Sequence, residues 1–232
     1  MAMYGLFYGP WTCLHIALVI TILVTPVTWT VILKEGKEET GSMGMDTPPP
    51  NKLDTALHID QIIPDLLDRA PNYTAQIQWI GGARARLGNF ISPSNITELP
   101  HLVAWHGNGS LTKDERNHYF TLLLTGPDHP SRDNPCQREF LYWHLVNIQG
   151  YTQEKRDTLV DYLGPNPASK TGEHRFVIFV FKQPSIIKFD EPKINTTDYE
   201  DTWRIHWNTK QFAKKYNLGE PYAINYFLAK HD

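Results

Sequence analysis

The chain has 232 residues, 41% of them hydrophobic and 20% charged, with 22 Lys and Arg against 25 Asp and Glu for a formal net charge of −3. That length suits one domain with an appendage. The balanced charge, with basic pairs such as Lys214-Lys215 standing alone, argues against a nucleic-acid partner.

Residues 13–33 are nearly free of polar side chains, His15 being the main exception. The stretch is long enough to span a bilayer. Its densest part, Leu14 to Val24, has the length of a signal-peptide core, and Pro26 then breaks the helix ahead of the small residues Thr28 and Thr30. Two readings stay open: a cleaved signal, or a retained anchor that would hold the protein to a membrane through residues 13–33. Lys34 and Lys37 follow the segment and nothing basic precedes it, which for an uncleaved anchor points toward the opposite orientation. The Asn-x-Ser/Thr triplets at Asn72, Asn95, Asn108 and Asn195 speak for entry into the secretory pathway and mark candidate glycosylation sites. They place the protein outside the cell or in a lumen, either secreted or membrane-anchored.

Residues 34–54 lack apolar periodicity and read as a linker, leaving 55–232 as the folded domain. Ile59 to Asp68 is short and helical or irregular, interrupted by Pro64. Next, Ala75, Ile77 and Trp79 alternate with Gln76 and Gln78, Gly81-Gly82 can turn, and Ala83, Ala85 and Leu87 alternate with Arg84 and Arg86. This pattern predicts a hairpin with one apolar face. The segments Tyr119–Thr125, Phe140–Ile148 and Arg175–Phe181 are apolar on both faces, as central strands covered on both sides should be, and Tyr222–Ala229 is a further candidate. One helix is expected near 208–219: Asn208 with Gln211 resembles a capping box, Phe212 and Tyr216 share a face, and Gly219 can close the end. The sum is mainly β, with few short helices, and suggests an antiparallel two-sheet sandwich. Of the two cysteines, Cys13 lies in the apolar segment, so cleavage would leave Cys136 alone.

Several blocks stand in a telling order. They are Ile62-Ile63-Pro64-Asp65, Arg86-Leu87-Gly88-Asn89, Pro127-Asp128-His129-Pro130-Ser131-Arg132, Arg138-Glu139, Asn147-Ile148-Gln149-Gly150, Asp161-Tyr162-Leu163-Gly164, Thr171-Gly172-Glu173-His174-Arg175, Asp190-Glu191-Pro192, Phe212 to Leu218, and Asn225-Tyr226-Phe227-Leu228-Ala229. Over about residues 59–230 the chain thereby resembles the phosphatidylethanolamine-binding protein (PEBP) family. The resemblance implies a large antiparallel sheet packed on a smaller one and a shallow pocket for phosphorylethanolamine, phosphate and similar anions. Asp128, Pro130, Ser131, Arg132, His174 and Arg175 match the pocket blocks. Gly126 stands where the family has Asp, Phe140 where it has Trp, Tyr142 where it has the pocket His, and Phe176 where it has Tyr. Asn166 and Ala168 replace a Gly and a Pro in the loop before His174, and the family's C-terminal helix beside the pocket is not expected here.

The resemblance thus makes Asp128, Pro130, Tyr142 and His174 the candidate ligand-binding residues. His144 joins them because it lies two residues beyond Tyr142, on the same face of a regular strand. Asp128 and Arg132 can equally be loop residues that bond their own surroundings. Gly126 cannot accept a hydrogen bond from an ammonium group, Tyr142 offers one neutral hydroxyl, and Phe176 offers none. No metal site is expected from His174, His144 and Asp128 without a compact ligand motif. No hydrolase is expected from Ser131, His174 and Asp128, since Gly-x-Ser-x-Gly is absent. The expected function is a non-enzymatic binding protein without cofactor, holding a phospholipid headgroup or small anion in a degenerate pocket. The alternative is a scaffold or protein-interaction subunit with no small ligand. A PEBP-like subunit of the mitochondrial large ribosome is a precedent for that, and its location would be mitochondrial.

Overall fold

The long apolar runs pair side by side, because their β-branched and aromatic residues pack on a pleated surface. The computed structural model describes residues 50–105, 117–151, 155–196 and 201–231. The apolar segment 13–33, the stem up to residue 49 and Asn108 lie outside the described residues. No helix of the described residues is long and apolar enough to cross a membrane.

The elements run α1 (Pro50–Ile59), α2 (Ile62–Asp65), β1 (Tyr73–Thr74), β2 (Gln76–Gln78), β3 (Asn89–Phe90), β4 (Leu102–Ala104), β5 (Tyr119–Gly126), β6 (Phe140–Gln149), β7 (Asp157–Val160), β8 (His174–Gln183), α3 (Thr209–Lys215) and β9 (Ala223–Ala229). The large sheet has the order β1-β9-β8-β5-β6-β7, with β3 also on β9; β2 and β4 form the small sheet. Pairing is antiparallel except where β1 and β3 run parallel to β9. Three layers result. Ile77, Trp79 and Val103 of the small sheet pack on one face of the large sheet, and Leu57, Ile62, Phe212 and Ala213 of the helices pack on the other. Both faces of β5, β6 and β8 are therefore apolar, as their composition requires.

Three sequence expectations are corrected. The linker expected through residue 54 ends earlier: α1 starts at Pro50, and Leu53 and Leu57, four apart on one helix face, are buried. The hairpin forms between Ile77 and Ala85 but goes no further. Trp79 and Ala83 bond across the Gly81-Gly82 turn and Gln78 bridges Arg84, but the main partner of β2 is β4. The returning arm still pairs as far as Ala85, whose N–H donates to the Ile77 carbonyl at 3.2 Å. There the buried Asn225 amide of β9 takes over, donating to the carbonyls of Ala75 and Ala85 and accepting from the Leu87 N–H. Finally, α3 is capped as expected by Asn208, which accepts from the Gln211 N–H at 2.8 Å, but the left-handed residue ending it is Asn217 (φ 52°), not Gly219. The Leu218 N–H closes back on the Ala213 carbonyl around it.

The register of β5 on β6 slips between Leu124–Trp143 and Thr125–Leu141, which inserts Tyr142 as an extra residue. Such a bulge reverses the alternation of every side chain beyond it. Tyr142 and Trp143 both join the core under the small sheet, and His144 turns to the helix layer, 4.8 Å from the Phe212 ring and 5.4 Å from Trp207.

His144 is fully buried and neither ring nitrogen finds a partner. Burial lowers its pKa from 6.5 to about 3. Between those values the unfolded chain takes up a proton that the folded one refuses, so stability is present at neutral pH and falls as pH drops from 6.5 toward 3. Urea unfolding of His144→Leu against the parent at pH 7 and pH 5 should show the variant more stable by about 1–3 kcal/mol at pH 7, since two unpartnered polar atoms are gone. Its advantage should grow at pH 5.

Candidate functional site

One end of the large sheet gathers the end of β5, the loop 127–139 and the starts of β6 and β8. Strand alternation sends His174 and Phe176 toward the small-sheet core, and Arg175 and Val177 toward the helices. Arg175 thus leaves the candidate pocket and becomes its anchor.

The anchor is an ion pair with nearly every valence used. The Asp128 carboxylate, 2% exposed, accepts from Arg175 Nε at 2.9 Å, from Arg175 Nη2 at 2.6 Å and from the Arg175 backbone N–H at 2.8 Å. The remaining guanidinium hydrogens go to the carbonyls of Asp60 and Gln61, at 3.2 and 2.9 Å, and to Asp65 at 3.0 Å. Burial works against the Arg175 charge, and Asp128 together with Asp65 more than offsets it. Asp65 also receives Arg138 at 2.8 Å, and Arg132 donates to the Asp60 carbonyl at 3.2 Å. Arg132 thereby ties its loop to the Asp60–Gln61 turn. Asp128 is committed to Arg175 and holds the loop. Strand alternation was the signal that could have assigned this role to Arg175.

Above the anchor lies an aromatic stack rather than an open polar floor. Tyr142 is 4.6 Å from Phe140 and 5.2 Å from Phe176 between ring centroids, and Phe176 stacks on Phe227 at 5.3 Å. Gly126 makes this close packing feasible: a Cβ there would lie 2.9 Å from Tyr142 Cε2, inside van der Waals contact. Tyr142 therefore occupies the space that a side chain at 126 would need. Phe140, Tyr142 and Phe176 are all buried.

The rim is polar. His129 lies against Phe140 at 4.7 Å, beside half-buried Pro130, and was not anticipated from the sequence as a site residue. His174 is buried, stacks parallel to Phe176 at 6.4 Å and has its Nε2 2.8 Å from the Thr171 hydroxyl. Burial pushes the His174 pKa below 6.5 and His129 adds to this, while the Asp128 charge opposes it. The ring is neutral near pH 7, a single-proton donor rather than a cation. The structure brings together Asp128, Pro130, Tyr142 and His174. It does not bring His144 to them: the expectation of a shared face with Tyr142 is overturned by the bulge. Among the described residues no His, Cys, Asp and Glu cluster could hold a metal ion.

The family model for phosphatidylethanolamine-binding protein matches residues 82–227, more than half of the chain. This chain belongs to the PEBP family. It is 30% identical to the 26 kDa secreted antigen of Toxocara canis over 169 residues, which make up 73% of this chain and 61% of the antigen. The chain therefore spans less than two thirds of that relative's length. Among solved structures, carboxypeptidase Y inhibitor, recorded in complex with its cognate proteinase, superposes with a TM-score of 0.66 at 22% identity, over 78% of this chain and 96% of that one. The solution structure of CG7054 is 34% identical with a TM-score of 0.57, over 75% of this chain and 93% of that one. The mainly antiparallel two-sheet fold of this PEBP member agrees with them.

Removing Asp128 takes three hydrogen bonds from Arg175 and leaves the buried guanidinium with the partly exposed Asp65 as its one carboxylate partner among the described residues. Asp128→Ala should lower the unfolding free energy by about 3–5 kcal/mol. Arg132→Ala, which loses bonds to a carbonyl and an amide oxygen at a half-exposed position, should cost no more than about 1.5 kcal/mol. Chemical denaturation of the two variants side by side checks the contrast.

Proposed function

We propose that this PEBP-family chain is a non-enzymatic binding protein of the secretory pathway whose headgroup pocket is closed from inside by its own aromatic side chains. The observation that carries the reading is the Tyr142 ring lying over Gly126, where a Cβ would come within 2.9 Å of it. The family's ammonium-binding carboxylate is absent at that position and its space is filled. Asp128 cannot substitute, because its oxygens are spent on Arg175. Neutral His174 and the hydroxyl-free Phe176 leave little to hold a phosphate. Two lost hydrogen bonds to charged groups, each worth about 1.5–3 kcal/mol, weaken a ligand about a hundredfold or more. A phospholipid headgroup or small anion is then bound weakly or not at all.

The compartment rests on separate support. Asn72, Asn95 and Asn195 are exposed, as glycan acceptors must be, the apolar segment 13–33 precedes the domain, and the Toxocara canis relative bears the name of a secreted antigen. A second reading, a protein-interaction scaffold without a small ligand, is favoured by the same filled pocket. The shared fold of an inhibitor that grips a proteinase adds support for it.

Gly126→Asp alone would collide with the Tyr142 ring, so the pocket is rebuilt only by Gly126→Asp, Tyr142→His and Phe176→Tyr together. Calorimetry with phosphorylethanolamine should detect binding to this triple variant and little or none to the parent. Equal binding to the two would end the closed-pocket reading. For the compartment, peptide-N-glycosidase treatment of protein from its native cells should increase its gel mobility; unchanged mobility with a mitochondrial or cytosolic location would reverse that assignment.

A further inference from the structure

A cleft separates residues 67–72, which lead from α2 into β1, from α3 and the turn 219–221. Two neighbouring chambers share Glu220 and Pro221 in their walls. The smaller, about 150 Å³, is lined by Arg69, Ala70, Pro71, Asn72, Glu220 and Pro221. The larger, about 350 Å³, is also lined by Asp68, Lys210, Lys214 and Asn217. The cleft is remote from the aromatic site along β9: Tyr73 pairs with Ala223 at the first residue of that strand, and His174 pairs with Ala229 at its last.

Asn72 is exposed and opens the triplet Asn72-Tyr73-Thr74. We propose that the cleft seats the N-linked glycan of Asn72, with the first sugar in the smaller chamber and the chain continuing into the larger. This rests on the secretory reading above. Three observations carry it. First, the attachment residue itself lines the chamber, so the sugar arrives tethered and loses little further freedom on docking. Second, the smaller chamber has the volume of about five liquid waters, which matches the six-membered ring of one sugar with its substituents left at the mouth. Third, the lining has the chemistry a sugar needs. Arg69 supplies donors and Glu220 acceptors for hydroxyls, and neither is ion-paired to another described residue. Pro71 and Pro221 offer apolar surfaces to the C–H face of the ring. In the larger chamber Lys210 is held by Asp68 at 2.8 Å, while Lys214 and Asn217 stand exposed for outer sugars. Asn95, on the turn Pro93–Asn95, and Asn195 line neither chamber.

The test compares thermal unfolding of the full chain made in a host that adds only oligomannose glycans with the same chain made without glycans. Asn72→Gln should lower the midpoint by about 2–4 °C in the glycosylated protein, the shift expected of roughly 1 kcal/mol at this size. It should change the unglycosylated protein by less than about 1 °C. Trimming to a single N-acetylglucosamine should keep most of the gain, and Glu220→Ala should abolish it. Asn95→Gln and Asn195→Gln should show no glycan-dependent shift. If glycopeptide mass spectrometry finds Asn72, Asn95, Asn108 and Asn195 all unmodified, the proposal falls together with the secretory reading. If Asn72 is bare and another site is filled, the seat falls alone. It also falls alone if Asn72 carries its glycan yet the gain is missing or survives Glu220→Ala.

Discussion

The Arg175 guanidinium is the point where three separate stretches of chain meet. Its partners Asp60, Gln61 and Asp65 lie around α2, Asp128 follows β5, and Arg175 itself sits near the start of β8. A buried charge of this kind is tolerated only when almost every donor is matched. Matching them needs carbonyls that point inward from the α1–α2 turn, where Gln61 adopts φ 57°, and a loop that delivers Asp128 under the sheet edge. The helix layer, the sheet and the site loop are thereby held in one relative arrangement. Loss of Arg175 would leave the buried Asp128 carboxylate without its counter-charge.

On that frame rests an aromatic floor. Asp128 and Arg175 hold the site loop, and Phe140, Tyr142 and Phe176 form the floor. Gly126 and Tyr142 belong together: the small residue gives room to the ring, and the ring fills what the small residue leaves. Phe140 and Phe176 extend the same stack toward Phe227. An aromatic floor is stable because rings that are buried in tilted and edge contacts gain beyond the area they hide. The same floor offers the single Tyr142 hydroxyl and no carboxylate.

A second polar cluster sits across the sheet and is structural. Glu139, just before Phe140, accepts from the Thr209 N–H and hydroxyl at 2.9 and 2.7 Å, tying the start of α3 to the start of β6. Burial raises its pKa, and the bonds from Thr209 counter this. His144 is close by in chain but has no such partners, which makes it a cost carried by the fold rather than a tool of the site.

The sequence by itself determined the fold class, because apolar runs on both faces demand covering layers, and the order of the motif blocks pointed to the PEBP family. It also determined which pocket groups are missing, since Gly126, Tyr142 and Phe176 lack the needed atoms whatever their placement. Only the tertiary structure decided where the remaining groups act. Period-two reasoning put His144 beside Tyr142, and a single inserted residue in β6 reversed that, because one residue of slip exchanges the faces of a strand. The hairpin after Ala75 stops at Ala85, and the Leu87 N–H goes instead to Asn225, about 140 residues away in the chain, a partner that local pattern does not contain. The Tyr142–Gly126 contact likewise needs a ring of β6 to lie over a glycine of β5, between strands whose register the sequence pattern leaves open.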